Sequence, residues 1–420
     1  MSGHVGSKDT RVAAAPTPSN VVTTQPSWSF PLLLCLVAVH FFRIGCQLVI
    51  TAWSVVGITG RSQSVGQILL ISSATTLIAS PFIGAWIDRS ARKKPLVLAG
   101  HFGVALSGAS PFVLAICAPQ SSPFVGLIVA TIMSSVAGIT IGCAMDYYIK
   151  LSFPARSRTA KLALMNSVSQ CTLIAGTAFG GYLVSFAPWQ DAYLLIGGCG
   201  LALTALAAYI LPSLIHTSHS ARNTVRAGPA LYLQHPYLFS VAFCSALAFA
   251  VGQATNTLLP AFMNLDLKLS SEHYASVEAA WSIGALAASA GLARFAKDRF
   301  GPLGHDLVIV LSIAALLSIV PRLSTPEALV AVHFVLGVGF AVTRVRADAR
   351  FLSACPTHLL GRFRANSLCL TSLVSATVFI SPTLSNGMAT PSLYQWLSAG
   401  IAASALILMA AARHPKPAAG

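Results

Sequence analysis

A few ionisable side chains interrupt the long apolar stretches of this 420-residue sequence. Arg43 lies near the middle of the first stretch, and His40 precedes it by three residues, a spacing that places both on one face of a helix. A charge in apolar surroundings is costly, so such residues point to ligand binding or proton transfer. An arginine here would bind an anionic group or shift the pKa of a neighbouring carboxylate. The alternative is a structural arginine that bonds to helix carbonyls.

Two more titratable groups lie in apolar stretches of the second half of the chain. Glu278 lies about one turn inside its stretch, where a carboxylate could take up protons from the solvent. Simple exposure beside Glu272 and His273 explains its position equally well. His333 lies inside another stretch, where it is a candidate for binding or coupling, although a packing histidine is the simpler interpretation.

Charged residues also crowd the end of one apolar stretch, at Arg344, Arg346, Asp348 and Arg350. They form either a gate or an ion-pair cluster that anchors the helix end.

Membrane-spanning helices must position these side chains. The sequence is 55% hydrophobic and only 9% charged, whereas a soluble domain has about 25% charged residues. Its apolar blocks are roughly 20 residues long, which is the length that crosses a bilayer. We therefore predict an all-α polytopic membrane protein with twelve transmembrane helices. The predicted spans are approximately 30–58, 66–87, 95–118, 122–149, 162–186, 190–212, 236–262, 274–296, 303–321, 326–350, 364–388 and 392–412.

One long polar linker, residues 213–235, separates two six-helix bundles, predicted at 29–212 and 236–412. Residues 1–28 lack the apolar stretch of a cleavable signal peptide and are predicted to be a flexible tail, as are residues 413–420. Placing both tails and the linker in the cytoplasm puts 22 of the 26 Lys and Arg residues on that side and three outside. This asymmetry accounts for the net charge of +15 without nucleic acid.

The two halves repeat short sequence elements. Asn166-Ser167 opens the fifth span, and Asn366-Ser367 opens the eleventh, 200 residues later. Asp88-Arg89 follows the second span as Asp298-Arg299 follows the eighth. Repeated halves are common in transporters, because two bundles can rock about a site between them. The repeat predicts bundles that are related by a pseudo-twofold axis.

The strongest local motif is Gly-Ala-Trp-Ile-Asp-Arg-Ser-Ala-Arg-Lys-Lys, from Gly84 to Lys94. The small Gly84 would let two helices approach closely. Asp88, Arg89 and Arg92 could lock neighbouring helix ends together through charge-assisted hydrogen bonds. The segment resembles the signature loop of the major facilitator superfamily, Gly-x-x-x-Asp-Arg-x-Gly-Arg-Arg/Lys, with Ser-Ala where the family usually has a glycine.

This resemblance implies the major facilitator fold, with alternating access to a site near the midplane. Asp298 and Arg299 would be its degenerate second copy. Asp146 would be the acidic partner of the arginines in the first loop, unless it pairs with the nearby Lys150. Gln253 and Asn256 lie in the seventh span, which faces the centre in this fold, and they would line the cavity.

The fifth span contains Gly-Thr-Ala-Phe-Gly-Gly, which resembles the antiporter motif Gly-Pro-x-x-Gly-Gly of exporters in this superfamily. Gly176, Gly180 and Gly181 are expected to pack against a helix of the other half. The segments Phe42–Gly45 and Trp281–Leu286 are similar to the macrolide-efflux and enterobactin-export branch. The arginine that many drug/proton antiporters carry in the fourth span is absent.

We therefore expect proton-coupled export of an amphipathic small molecule, either a siderophore-like metabolite or a drug, by a monomer in the bacterial inner membrane. Import on the same fold, or a sensor or assembly partner that does not transport, remain alternatives. The chain has no phosphate-binding Gly-x-x-x-x-Gly-Lys-Ser/Thr motif, so we expect neither ATP hydrolysis nor any enzymatic activity. We also expect no cofactor and no resident metal. The expected partners are the small-molecule substrate, protons and lipid.

Overall fold

A computed structural model of the chain describes residues 30–59, 63–118, 120, 123–213, 230–269, 271–295, 302–384 and 389–413. Their regular structure is entirely helical. The α-helices are α1 (Phe30–Thr59), α2 (Gln63–Arg89), α3 (Lys94–Cys117), α4 (Pro123–Ser152), α5 (Ala155–Phe186), α6 (Trp189–Ile210), α7 (Ala230–Gln234), α8 (Pro236–Ala261), α9 (Ser271–Phe295), α10 (Leu303–Ile319), α11 (Pro326–Ala354), α12 (Leu360–Leu384) and α13 (Thr390–Arg413). A π-helical turn, Phe262–Asp266, follows α8, and 3₁₀ turns lie at Val320–Arg322 and Thr357–Leu359.

Twelve of these helices are long, and they correspond to the twelve predicted spans. Eleven of them are both long and apolar enough to cross a membrane. The exception is α9, whose 25 residues would reach about 37 Å but include Glu278 and Arg294. This helix packs against α5 and α11, so protein rather than lipid covers much of its surface.

The twelve long helices form two bundles with the same packing pattern. In the first bundle α1 contacts α5 and α6, α3 contacts α4 and α6, and α2 contacts α4. In the second, α8 contacts α12 and α13, α10 contacts α11 and α13, and α9 contacts α11. The bundles meet where α2 packs on α12 and where α5 packs on α9. The packing pattern matches α2 to α9 and α5 to α12, so a twofold rotation turns each of these two contacts into the other. This arrangement confirms the predicted pseudo-twofold fold.

Glycines on α5 close the contact with α1. A Cβ at Gly176 would lie 2.0 Å from the carbonyl oxygen of Phe42, and one at Gly180 would lie 2.9 Å from Cα of Cys46. A Cβ at Gly181 would meet Val49 of α1 at an ordinary 3.9 Å. The prediction that these glycines face the other half was therefore wrong. Spacing along a helix defines the face with small residues, but it does not tell which helix covers that face.

The predicted linker ends in a packed segment. Tyr232 of α7 is buried, and its hydroxyl lies 3.0 Å from the hydroxyl of Ser367 in α12. Residues 1–29, 214–229 and 414–420, which include the two predicted tails and most of the linker, lie outside the described residues. The bundle limits at 29–212 and 236–412 stay predictions.

Candidate functional site

The carboxylate of Asp88 joins the two halves at the end of the molecule where α2 ends and α12 begins, which we call the Asp88 end. Its Oδ1 accepts hydrogen bonds from the hydroxyl of Tyr147, at 2.5 Å, and from the backbone N–H of Gly361, at 2.7 Å. Its Oδ2 accepts from the N–H of Arg362 at 3.0 Å. These N–H groups belong to the first turn of α12, where helical amides have no partner within the helix and the helix dipole favours an anion. A carboxylate of the first half therefore caps a helix of the second.

The backbones of α2 and α12 approach closely beside this cap. A Cβ at Gly84 would lie 2.5 Å from Cβ of Ala365 and 2.6 Å from the carbonyl oxygen of Gly361. Both distances are too short for a side chain. Gly84 is thus required for the contact that brings Asp88 to α12.

Lys93 is the buried basic residue of the loop that follows α2. Its Nζ donates to the carbonyls of Ile87, at 2.5 Å, and Ser90, at 2.8 Å, and lies 4.1 Å from the centre of the Tyr147 ring. Burial lowers the pKa of this amine to about 8. Arg89 and Arg92, the predicted gate residues, are exposed, and neither forms an ion pair within the described part of the chain. Three consecutive basic positions, 92 to 94, did not reveal which one would be buried.

A second set of charges joins the halves beside Asp88. The guanidinium of Arg364, on α12, bonds to both carboxylate oxygens of Asp146 on α4 and to Oδ1 of Asp348 on α11, the last at 2.8 Å. Asp146 was predicted to pair with the arginines of the first loop or with Lys150. Its hydrogen-bonded partner is instead an arginine of the other half, a pairing that needs the tertiary arrangement and has no local sequence signal.

The remaining charges at the end of α11 anchor one helix within the second half. Nε of Arg346 lies 2.6 Å from Oδ1 of Asp306, and Nε of Arg350 lies 2.8 Å from its Oδ2. Asp306, in the first turn of α10, is fully buried. Arg346 therefore belongs to an anchoring ion pair, while Asp348 pairs with Arg364 of its own half, beside the contact of Arg364 with Asp146. Asp298 and Arg299 lie outside the described residues.

Three further hydrogen bonds cross between the halves at or near this end. Lys150 donates to the carbonyl of Cys355. Arg158 donates to the hydroxyl of Ser353 at 3.1 Å, and the amide of Asn166 donates to the hydroxyl of Ser289 at 2.6 Å. Cys355 lies in this seam with 1% of its surface exposed, and burial raises the pKa of its thiol to about 12. The molecule is therefore closed at the Asp88 end.

A group of polar side chains lies farther along the first half. Arg43 lies 13 residues after the start of α1, about 20 Å from the Asp88 end. Its guanidinium donates to the side-chain oxygen of Gln47, whose amide donates to the hydroxyl of Ser134 on α4 at 2.8 Å. The ring of His40 contacts that of His101 on α3 edge to face, with centroids 5.5 Å apart. Neither a carboxylate nor a helix carbonyl is the hydrogen-bonded partner of Arg43 within the described residues.

An aromatic group lies at a similar distance along the second half. The ring centroid of Phe340 on α11 lies 5.3 Å from that of Phe249 on α8 and 5.6 Å from that of Trp281 on α9. The guanidinium of Arg344 lies 5.1 Å from the centre of the Phe249 ring, within cation–π distance. Phe249 and Phe340 had no sequence signal that distinguished them from other apolar positions, whereas Trp281 and Arg344 lie in segments that the sequence had already indicated.

The other candidates from the sequence occupy different environments. Gln253 and Glu278 are half-buried, and Asn256 is exposed. His333 is fully buried, and its Nδ1 lies 2.8 Å from the carbonyl oxygen of Leu329, one turn earlier in the same helix. Its Nε2 has no hydrogen-bond partner within the described residues, and its role in binding or coupling stays a prediction.

Comparison with known proteins gives one family. A family model described as Major Facilitator Superfamily matches residues 33–368. No curated protein matches the sequence. Among solved structures, a bacterial homologue of the iron transporter ferroportin, in an outward-facing state, is similar, with a TM-score of 0.73 and 14% identity over 90% of this chain and 97% of that one.

Two more solved structures have the same fold. The human organic anion transporter MFSD10 (TETRAN) gives a TM-score of 0.70 and 12% identity over 90% of this chain and 98% of its own. The proton:xylose symporter XylE, bound to 6-bromo-6-deoxy-D-glucose, gives a TM-score of 0.68 and 12% identity over 91% of this chain and 95% of its own.

Proposed function

Since the chain belongs to the major facilitator superfamily, we propose that this membrane transporter exports an amphipathic small molecule by alternating access, in exchange for protons. The observation that carries the proposal is the closed Asp88 end. Its charges bond across the seam between the halves, while the polar and aromatic groups lie about halfway along the helices. A solute held at that depth would be reached from the opposite end in this state.

The bonds at the Asp88 end suit a contact that opens and closes. Asp88 and Arg364 bond to groups of the other half, so both must separate when the halves rock apart. Charged groups exposed in this way become hydrated, and water replaces much of the bonding energy that they lose. Apolar side chains would have no such compensation.

An amphipathic cargo fits the two chemical environments at this depth. The first half supplies Arg43, Gln47 and Ser134. The second supplies the rings of Phe249 and Phe340. Aromatic faces contribute apolar contact area, and amide and hydroxyl groups fix the orientation of a polar group.

Three features support export and proton coupling. The Asp88 end carries most of the basic residues and is therefore assigned to the cytoplasm, which makes the described state closed toward the cytoplasm. Glu278 lies half-buried on α9, about two turns after the start of that helix, where it could take up a proton from outside. The Gly-Thr-Ala-Phe-Gly-Gly segment of α5, packed on α1, resembles the exporters of this superfamily.

Transport by everted vesicles tests direction and coupling together. Vesicles containing the chain would be energised to an acidic interior and exposed to a panel of neutral, anionic and cationic amphipathic compounds. Mass spectrometry would measure accumulation, and a pH-sensitive dye would measure proton release. We expect uptake of at least one compound with loss of the proton gradient, and neither effect in empty vesicles.

Glu278→Gln should abolish the response to the gradient, because the amide cannot carry a proton. Glu327→Gln is the matched control, since Glu327 is an exposed acid in the first turn of α11. If Glu278→Gln transports with an unchanged pH dependence, Glu278 is not the coupling residue. If no compound in the panel is accumulated against its gradient, the export proposal fails.

A further inference from the structure

Three basic side chains meet inside the first bundle. Arg43 and His40 lie on one face of α1, and His101 reaches them from α3. Arg43 is 3% exposed and His101 is 1% exposed. Only His101 lacked any sequence signal, because a single histidine in an apolar helix is usually a packing residue.

Several polar atoms of this group have no hydrogen-bond partner within the described part of the protein. They are Nδ1 of His40, Nε of Arg43 and both ring nitrogens of His101. Buried polar groups are nearly always paired, and an exception calls for a ligand or ordered solvent. A guanidinium carries its charge at any physiological pH, so Arg43 in particular needs a counter-charge when it is buried.

No carboxylate supplies that counter-charge among the described residues. The five ion pairs there involve other basic groups, and the one hydrogen-bonded partner of Arg43 is the neutral amide of Gln47. A metal ion does not fit, because no group of three or more possible ligands occurs in the described chain and the arginine would repel a cation.

The members of the group differ in exposure. His40, Gln47 and Ser134 are half-buried, whereas Arg43 and His101 are buried. His40, Arg43 and Gln47 follow one another at three- and four-residue spacing and form a continuous stripe on α1. His40, Gln47 and Ser134 therefore mark the rim of this polar group, and Arg43 and His101 form its interior.

We propose that His40, Arg43 and His101 form an anion subsite that binds the carboxylate or another oxyanion of the cargo. The proposal rests on the proposed transport function for the identity of the ligand and names the cargo as an amphipathic acid. Arg43 supplies the charge, and each neutral imidazole donates one N–H. Gln47 holds the guanidinium in place through its bond to Ser134.

Direct binding to the purified full-length chain tests the subsite without a transport assay. Octanoate is the probe, and 1-octanol is the uncharged compound of the same chain length. Thermal unfolding in detergent micelles would be followed as each is titrated at the same low ionic strength. We expect octanoate to raise the melting temperature in a saturable way, and 1-octanol to have no such effect.

Substitutions connect the effect to the three residues. Arg43→Gln should abolish the stabilisation by octanoate, and His101→Gln should weaken its apparent affinity at least tenfold, roughly the contribution of one charge-assisted hydrogen bond. Arg322→Gln is the matched control, because it removes an exposed guanidinium in the turn after α10 and should leave octanoate binding intact. If Arg43→Gln does not fold, Arg43→Lys keeps the charge and should bind octanoate more weakly than the parent.

The outcomes separate the subsite from transport. A second titration, with chloride, tests whether small inorganic anions bind at the same place. If chloride competes with octanoate, both anions share one subsite; if it does not, the subsite prefers the carboxylate. Both results support the subsite. Octanoate that stabilises the Arg43→Gln variant as well as the parent overturns the subsite, whatever the vesicles transport. Saturable, Arg43-dependent binding with no uptake in vesicles supports the subsite and removes the transport proposal instead.

Discussion

Replacing Asp88 by asparagine should shift the protein away from the state that is closed at the Asp88 end. The carboxylate accepts two backbone N–H bonds from α12, at 2.7 and 3.0 Å, and one from Tyr147. A hydrogen bond to a charged group contributes about 1.5–3 kcal/mol net, whereas a neutral one contributes about 1 kcal/mol. Asparagine keeps one acceptor oxygen and directs its NH₂ group toward the other donors. The expected loss is about 3 kcal/mol, or roughly a 100-fold rise in the open-to-closed ratio.

Cys355 reports this change, because it lies buried in the seam between the halves. A variant that keeps Cys355 and replaces the other eight of the nine cysteines would be reconstituted in liposomes and treated with a maleimide. When opening and closing are fast, the labelling rate follows the population of the open form. Asp88→Asn should therefore label roughly 100-fold faster than its parent.

Two comparisons make the result specific. Tyr147→Phe removes a hydrogen bond that lies within the first half and keeps the ring beside Lys93, so it should raise the labelling rate much less than Asp88→Asn does. Asp191→Asn changes an exposed acid in the first turn of α6 and should leave the rate unchanged. The reasoning is refuted if Asp88→Asn labels no faster than its parent while unfolded protein labels completely.

Three further predictions concern stability, each measured by thermal unfolding of the purified protein. Gly84→Ala should destabilise the protein by about 1–3 kcal/mol, because the added Cβ would overlap Ala365. Gly138→Ala is the control and should cause no such loss, because a Cβ there meets nothing within 4 Å. Equal losses in the two variants would contradict the packing argument. Arg364→Met should destabilise by about 3–5 kcal/mol by leaving the buried Asp146 unpaired, and adding Asp146→Asn should recover part of that loss if the pair is the cause. The native pKa of Lys93, about 8, lies below its unfolded value, so the unfolded chain holds more protons between about pH 8 and 10.5 and stability should rise with pH there; Lys93→Met should lack this rise, and an identical pH profile would exclude Lys93 as its source.

The sequence by itself determined the fold class and the position of most helices. Apolar blocks of bilayer length can be satisfied only by helices, since backbone groups in lipid need partners within the segment. The short repeats and the Gly84–Lys94 motif also predicted that the chain consists of two related halves. The polar α9 was still recognisable, because its length and its place in the repeat outweighed its lower hydropathy.

The sequence also identified Arg43, His40, Asp88 and Gly84 as residues of interest, because a charge or a small residue in such a context is unusual. It did not identify their partners. His101, Asp306 and Lys93 look like ordinary residues of their segments.

Only the tertiary structure decided which charges meet. Asp146 and Arg364 are 218 residues apart along the chain, and Gly176 packs on α1 of its own half rather than on the other half. Helical periodicity gives the direction in which a side chain points, but this direction does not depend on which helix packs against that face. The contacting residue depends on how the helices are arranged in space, so distant parts of the chain create the lock at the Asp88 end and the basic group around Arg43.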